Sequence, residues 1–204
     1  MKILVLATDD GWNELTVNNN AVEWIRAEDV NAFFVHKEAD ACFNLNSDAA
    51  EINYSEIKKP VFIHCVIKTL KEINAHENIY RINGWRGFIK RDSWEVAGNI
   101  SKESVTVLTA ISKKYVSVPD EPGLIAARII AMIINEAYFA KAENVSTEKE
   151  IDIAMKLGTN YPFGPFEWAQ LIGIKNVYDL LMSISQNDNR YKPAELLQQE
   201  AIKN

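Results

Sequence analysis

The sequence predicts an α/β protein in which a small, mostly parallel sheet precedes an all-α domain. Short apolar runs alternate with helical patterns over the first part of the chain, which is typical of a sheet with crossover helices. From about residue 119 onward every periodic segment is helical. With 204 residues, of which 48% are hydrophobic, the chain can bury a substantial core. We expect two domains, residues 1–118 and residues 119–204.

The first βαβ unit is predicted over residues 2–35. Residues 2–7 form an almost continuous apolar run, which favours a buried strand. Apolar residues then recur at helical spacing over residues 15–27, and a second strand is expected over residues 30–35.

The rest of the first domain is predicted to extend this sheet. Strands are expected over residues 41–45, 61–64, 79–83 and 115–118, and helices over residues 67–73 and 101–113. The second and third strands lie too close in sequence for a full helical crossover. The sheet is therefore predicted to be a trimmed version of a doubly wound one.

The second domain is predicted to consist of helices with recognisable ends. A helix over residues 124–142 is apolar around more than half of its circumference, which is typical of a core or interface helix. Thr147 and Glu150 form a capping box that begins the next helix, which Gly158 would end. A further helix begins at residues 164–165 and ends at residue 173, and the last is expected over residues 176–185.

Charge and hydropathy exclude several classes of partner. The formal net charge is -6 and no run of basic residues occurs, so nucleic acid and anionic membranes are not expected partners. No apolar stretch approaches the roughly 20 residues that span a bilayer, and the first residues lack a signal-peptide pattern. We therefore expect a cytoplasmic protein. Cys42 and Cys65 have no metal-like spacing and are expected to be buried, reduced thiols.

Several residues are candidates for metal binding, nucleophilic catalysis or the lining of a pocket. Asp9 and Asp10 follow the first strand, where they could bind a divalent cation, but a turn and helix N-cap role is the favoured interpretation. His64 and Cys65 suggest a nucleophile pair, although neighbours on a strand point to opposite faces. The three histidines have no metal-ligand spacing. Three tryptophans could line a pocket but are more often core: Trp85, Trp94 and Trp168.

In four segments of the second half of the chain, the residue identities are more informative than the helical periodicity alone. They comprise residues 120–128, 135–137, 150–158 and 161–167, and the last two lie in and around the run AMKLGTNYPFGPFEWAQLIG. Their order and spacing resemble those of the helical domain of 3-hydroxyacyl-CoA dehydrogenases. The resemblance implies a Rossmann-like domain followed by a helical domain of the 6-phosphogluconate-dehydrogenase C-terminal type. It also implies a homodimer formed through the helical domain, with acyl-CoA and NAD as ligands in the cleft between the two domains.

The resemblance also assigns catalytic positions, and most of them carry a changed residue. The family's catalytic His corresponds to Arg86, which cannot act as a base near neutral pH. The Glu that holds this His corresponds to Glu95, and an Arg86–Glu95 ion pair is the favoured interpretation. The family's substrate-binding Asn corresponds to Ala127, whereas the neighbouring Arg128 is kept. The hydroxyl-bearing Ser falls near Cys65, whose thiol is a weak donor.

The turn after the first strand argues against a dinucleotide. Such a site needs a glycine-rich turn so that backbone amides at a helix start can approach the pyrophosphate. Here the turn has one glycine, Gly11, and presents Asp9 and Asp10. Two like charges 4 Å apart repel by roughly 1 kcal/mol in water and about 4 kcal/mol at an effective dielectric near 20. The acid that usually binds the ribose is also replaced, with residues 35–37 expected at the end of the second strand.

Two hypotheses follow. The favoured one is a divergent 3-hydroxyacyl-CoA dehydrogenase-like protein that lacks NAD-dependent hydride transfer, has no cofactor, and keeps a dimeric scaffold or a binding role for acyl-CoA or another small ligand. The alternative is an active oxidoreductase of fatty acid metabolism that binds NAD in an atypical way. The site residues under either hypothesis are those named above: Cys65, Arg86, Glu95, Ala127 and Arg128.

Overall fold

The computed structural model describes residues 1–17 and 21–203, which divide after Leu124 into two compact units. The first unit contains a mostly parallel sheet and the second contains helices, so the predicted fold class is confirmed. Among the residues described, no helix combines the length and the apolar character needed to cross a lipid bilayer.

The first unit is built on a seven-stranded sheet with the order β2-β1-β3-β4-β5-β6-β7. Every neighbouring pair is parallel except β5 and β6, which are antiparallel. Because β1, β3, β4 and β5 are adjacent and parallel, their carboxyl ends lie along one edge of the sheet. The strands are β1 Lys2–Leu6, β2 Glu23–Arg26, β3 Ala41–Asn44, β4 Val61–His64, β5 Ile79–Ile82, β6 Ser93–Ala97 and β7 Lys114–Ser117.

Both faces of the sheet are buried under apolar side chains. On one face an aromatic row crosses the strands, with ring centroids of Phe43 and Phe62 4.7 Å apart and those of Phe62 and Tyr80 5.0 Å apart. The other face carries smaller side chains, including both cysteines, which are free and buried as predicted. Trp85, Trp94 and Trp168 are also buried, so their core interpretation is confirmed. Burial of each large apolar side chain contributes about 1.5–3 kcal/mol.

The predicted first βαβ unit is wrong in its second half. The helix is α1, Asp9–Thr16, and the segment predicted to continue it pairs with β1 as β2 instead. Residues 18–20 of the predicted helix lie outside the described residues. The predicted strand over residues 30–35 is a short helix, α2, Asn31–Val35, which buries Phe33 against the sheet.

Elsewhere in the first unit the predicted elements hold with three corrections. Residues 67–73 form turns rather than a helix. The strand β6 was not predicted, although Trp94 and Val96 alternate with polar neighbours on it as a half-buried strand requires. The predicted helix over residues 101–113 is shorter, α3 Lys102–Ala110, and begins with a capping box at Ser101.

The second unit contains five helices among its described residues: α4 Ala126–Ala142, α5 Glu148–Thr159, α6 Pro165–Ile172, α7 Ile174–Ser185 and α8 Glu195–Lys203. The capping box of Thr147 and Glu150 begins α5 as predicted. Asn160, in the left-handed conformation, ends α5 in place of Gly158. The helix α8 extends the unit beyond the predicted last helix.

Candidate functional site

The carboxyl ends of β1, β3, β4 and β5 bring polar residues to one edge of the sheet. The chain leaves β1 toward β2 on one side and later adds β3 on the other, so the strand order reverses between β1 and β3. Ligands of open α/β sheets bind outside such a reversal. The residues at this edge are Thr8 to Gly11 after β1, Asn46 after β3, His64 at the end of β4, and Asn83 to Arg86 after β5. We call this set the carboxyl edge.

The turn after β1 is capped by Thr8 rather than by an aspartate. Thr8 Oγ1 accepts a hydrogen bond from Gly11 N at 3.3 Å, which makes Thr8 the N-cap of α1. The predicted N-cap role of the aspartates is therefore wrong. Asp9 and Asp10 lie in the first helical turn, where the positive end of the helix dipole stabilises carboxylates. Among the residues described, no three His, Cys, Asp or Glu side chains gather as a metal site.

Both aspartates contact arginines from other segments. Arg26 Nη2 lies 2.5 Å from Asp9 Oδ1, and Arg86 Nη2 lies 3.4 Å from Asp10 Oδ2. The structure therefore gives Arg86 a different carboxylate from Glu95, its predicted partner. All four side chains are largely exposed, so each pair contributes little to stability. These two ion pairs leave both arginines at the start of α1 already paired with carboxylates of the same chain.

The segment after β5 is also held to α1 by a backbone contact. Gly87 N donates to both carboxylate oxygens of Glu14, at 2.7 and 3.0 Å. Together with the Arg86–Asp10 pair, this contact lays residues 86–87 along α1. The space beside the first turns of α1 is thus bounded by three acidic side chains, those of Asp9, Asp10 and Glu14.

The end of the second strand differs from the predicted one. Because the second strand is β2, its last residue is Arg26, not a residue of the 35–37 segment. His36, which was expected at this place, instead lies after α2 and pairs with Glu38, with His36 Nδ1 2.7 Å from Glu38 Oε1. The residue at the end of the second strand is therefore an arginine that contacts Asp9.

His64 is held as a neutral ring by the backbone of β5. Gly84 N donates to His64 Nδ1 at 3.0 Å, so the proton of the neutral imidazole lies on Nε2. Burial lowers the pKa of His64 to about 4. Cys65 has a separate partner, since its Sγ lies 3.0 Å from the carbonyl oxygen of Lys68, and burial raises the pKa of its thiol. These contacts do not support the His64–Cys65 nucleophile pair.

The lowered pKa of His64 predicts a pH dependence of stability. The unfolded chain binds this proton with a pKa near 6.5, and the folded chain with one of about 4. Between these values the unfolded state binds more protons, so the free energy of unfolding falls as the pH is lowered through this window. The slope is at most roughly 1.4 kcal/mol per pH unit for one proton. Urea unfolding of wild type and His64→Asn, which keeps an acceptor for Gly84 N, should diverge below pH 6.5; parallel curves would contradict the assignment.

Asn83 presents a buried donor at the carboxyl edge. Its side chain is 9% exposed, and its Oδ1 accepts a hydrogen bond from Trp85 N at 3.0 Å, which orients the amide. Its Nδ2 has no hydrogen-bond partner among the described residues. Asn46 Oδ1, after β3, is another such buried atom. Leaving a buried donor unpaired costs about 1–3 kcal/mol, so Asn83 is a feature that packing alone does not explain.

Three of the sequence-predicted site residues fall at or near this edge. Cys65 directly follows β4, and Arg86 lies just after β5. Glu95 is on β6, next to Val96, which the antiparallel register pairs with Ile82, the last residue of β5. Asn83 itself and the His64–Gly84 contact were not identified from the sequence, because neither forms a motif.

The other two predicted residues lie in the second unit, near the start of α4. Ala127 is fully buried, which suits a packing role. The guanidinium of Arg128 lies 5.7 Å from the ring centroid of Tyr191, within the range of a cation–π contact.

Comparison with known proteins finds that the second half of the chain is similar to one enzyme family. Residues 123–204 match the family model described as 3-hydroxyacyl-CoA dehydrogenase, C-terminal domain. The chain is 36% identical over 104 residues to the 3-hydroxyadipyl-CoA dehydrogenase of Escherichia coli, and 34% identical over 108 residues to a 3-hydroxybutyryl-CoA dehydrogenase of Clostridioides difficile. These matches cover 50% and 52% of this chain but only 22% and 38% of the two relatives. The resemblance predicted from residues 120–167 is confirmed.

The fold of the chain also matches solved structures. A (S)-3-hydroxybutyryl-CoA dehydrogenase from Ralstonia eutropha superposes with a TM-score of 0.72 at 15% identity, covering 99% of this chain and 93% of that one. At this identity the likeness shows the fold alone.

Proposed function

We propose that this 3-hydroxyacyl-CoA dehydrogenase-like chain does not carry out NAD-dependent hydride transfer and instead binds acyl-CoA or another small ligand as a cytoplasmic homodimer. The observation that carries the proposal is the first turn of α1, where Asp9 and Asp10 occupy the place that a pyrophosphate needs. A pyrophosphate there would face both carboxylates and would have to displace Asp9 and Asp10 from Arg26 and Arg86.

The glycine in this turn gives no further support to a dinucleotide. A Cβ built on Gly11 would meet Ala7 Cβ at 3.4 Å and Thr8 Oγ1 at 3.6 Å, which are ordinary contact distances. An alanine would therefore fit the turn, so the single glycine is not required by crowding. The residues present do not fit NAD bound in the family's manner.

The catalytic positions support the same proposal. Arg86 stands where the family's base would be, and a guanidinium does not act as a general base near neutral pH. Ala127 offers no hydrogen bond to a substrate. The polar groups have changed, whereas residues 123–204 still match the family model.

A second candidate function is an active dehydrogenase with an atypical cofactor mode. The observation in its favour is Arg26, which ends the second strand of the sheet. An arginine near this place accommodates the 2′-phosphate of NADP in other doubly wound sheets. Under this alternative, Arg26 would exchange Asp9 for a cofactor phosphate.

Thermal unfolding with added ligands separates these functions. A ligand at 100 times its dissociation constant stabilises a protein by about 2.7 kcal/mol. We expect acetoacetyl-CoA to raise the melting temperature and NADH and NADPH to leave it unchanged. A saturable shift with either nucleotide, together with reduction of acetoacetyl-CoA, would establish the dehydrogenase and overturn the proposal.

The proposed dimer rests on the helix α4. Large apolar side chains are exposed to solvent on and just before this helix: Ile125 at 47%, Ile129 at 50% and Phe139 at 38%. A dimer interface would remove this apolar surface from water. Light scattering at micromolar concentration should give twice the mass of 23.1 kDa. A monomeric mass would refute this part of the proposal.

A further inference from the structure

We propose that Asn83 is a ligand-binding residue whose Nδ2–H donates a hydrogen bond to an uncharged carbonyl oxygen of the bound ligand, such as that of an acyl group. This inference rests on the proposed function, since it assigns a contact within the proposed ligand site. It does not depend on any cofactor.

The first step is that the side chain of Asn83 is oriented before any ligand arrives. Its Oδ1 accepts from Trp85 N at 3.0 Å, and this bond fixes which side of the amide carries the donor. The neighbouring residue Gly84 is fixed as well, because its N–H donates to His64 Nδ1 at 3.0 Å. The turn over residues 83–85 is thus held from two sides, and Nδ2 is the group left without a partner among the described residues.

His64 acts here as a positioning residue. A Cβ built on Gly84 would lie 2.6 Å from both Cβ and Cγ of His64, so the imidazole packs directly on the glycine. The neutral ring, whose pKa is lowered to about 4 by burial, keeps Nδ1 free of a proton and able to accept from Gly84. Protonation of Nδ1 would remove this acceptor and release the turn that orients Asn83.

The burial of Asn83 decides which oxygen it can take. Nδ2 is a buried atom, so a ligand oxygen that accepts from it must give up its contacts with water. Losing that hydration costs a carboxylate far more free energy than it costs a neutral carbonyl. A ketone, thioester or amide oxygen accepts the same hydrogen bond at the lower cost, so the site favours an uncharged carbonyl.

Asn83→Asp provides the test, because it removes the donor and keeps the oxygen that accepts from Trp85. We expect isothermal titration to show acetoacetyl-CoA binding at least about tenfold more weakly to this variant, because one hydrogen bond is lost and a second acceptor oxygen faces the carbonyl. Coenzyme A, which lacks the acyl carbonyls, should bind wild type and variant equally. The control is Asn187→Asp, the same chemical change at an exposed position.

A measurement on the wild-type protein guards against a folding defect in the variant. In a ¹⁵N–¹H spectrum, acetoacetyl-CoA should move one side-chain amide proton of Asn83 downfield, and coenzyme A should not. The side-chain amide of Asn78 serves as internal reference, because its Nδ2 already donates to the carbonyls of Ile57 and Lys59.

The outcomes separate the two proposals. If acetoacetyl-CoA binds but the Asn83 amide does not move and Asn83→Asp binds as wild type does, Asn83 is not a ligand contact and the proposed function stands. If wild type binds neither acetoacetyl-CoA nor coenzyme A, acyl-CoA binding is wrong and the inference falls with it.

Discussion

Replacing Asp120 by asparagine is expected to lower the free energy of unfolding of the first unit by about 3 kcal/mol. The reason is Arg81, whose side chain is fully buried on β5 and whose Nη1 pairs with Asp120 Oδ1. Removing one member of a buried ion pair leaves the other charge uncompensated, which costs about 3–5 kcal/mol. We expect the lower end of this range because the Asp120 side chain is 30% exposed.

The Asp120 carboxylate also forms hydrogen bonds with the backbone of the turn at residues 70–71. It accepts hydrogen bonds from Leu70 N at 3.0 Å and from Lys71 N at 3.3 Å. Arg81 in turn donates to the carbonyl oxygens of Cys65, Val66 and Glu121. Both oxygens of Asp120 accept hydrogen bonds, and asparagine keeps only one of them. The variant therefore measures the loss of the charge together with at least one hydrogen bond.

Urea unfolding measures this effect against a matched control. Asp179→Asn removes the same charge from an exposed pair, in which Lys175 Nζ lies 2.9 Å from Asp179 Oδ2. This change should cost no more than about 0.5 kcal/mol. Equal losses in the two variants would show that the Arg81–Asp120 pair contributes no more than a surface one.

The elements that could be predicted from the sequence are those fixed by local chemistry. The capping box of Thr147 and Glu150 satisfies backbone donors three residues apart, so it is visible without any tertiary contact. The glycine–proline step at residues 164–165 begins α6 for a similar reason, since proline is favoured in the first helical turn. Apolar runs located β1, β3, β4 and β5 because strands buried on both faces carry few polar residues.

The prediction for residues 21–35 was wrong because the structure of this segment depends on residues that are distant in sequence. Residues 23–26 form an edge strand only through backbone pairing with β1, from Lys2 opposite Glu23 to Val5 opposite Arg26. Their spacing fits a helix equally well, and a four-residue strand is too short for periodicity to decide. The five-residue helix α2 was missed for the same reason.

The candidate site was predictable in outline but not in its contacts. The sequence located Asp9, Cys65, Arg86 and Glu95, which the strand order brings to or near one edge. The partner of Arg86 could not be predicted, because Asp10 lies 76 positions away and reaches it only through the fold. Asn83 could not be identified from the sequence, because its burial and its lack of a hydrogen-bond partner depend on residues that contact it only in the folded chain.

The second unit depends on a close approach between two helices, and Gly164→Ala is expected to lower its free energy of unfolding by about 2–3 kcal/mol. A Cβ at Gly164 would lie 2.3 Å from Asp152 Oδ1 and 2.4 Å from both Cβ and Cγ of Asp152. Asp152 cannot move away freely, because it is buried and its two oxygens accept from Phe166 N at 2.8 Å and Glu167 N at 3.2 Å. Any shift that relieves the clash therefore breaks the hydrogen bonds that anchor the start of α6.

Gly158 is the matched control for this substitution. It lies within α5, on the same helix as Asp152, and a Cβ there would meet no atom within 4 Å. Gly158→Ala should therefore raise the free energy of unfolding by about 0.5–1 kcal/mol through helix propensity alone. The clash itself is isolated by repeating Gly164→Ala in an Asp152→Gly background, which removes all three contacted atoms, so most of the cost should disappear. If Gly164→Ala costs as much in that background as in the wild type, the loss arises from the backbone of Gly164 and not from its approach to Asp152.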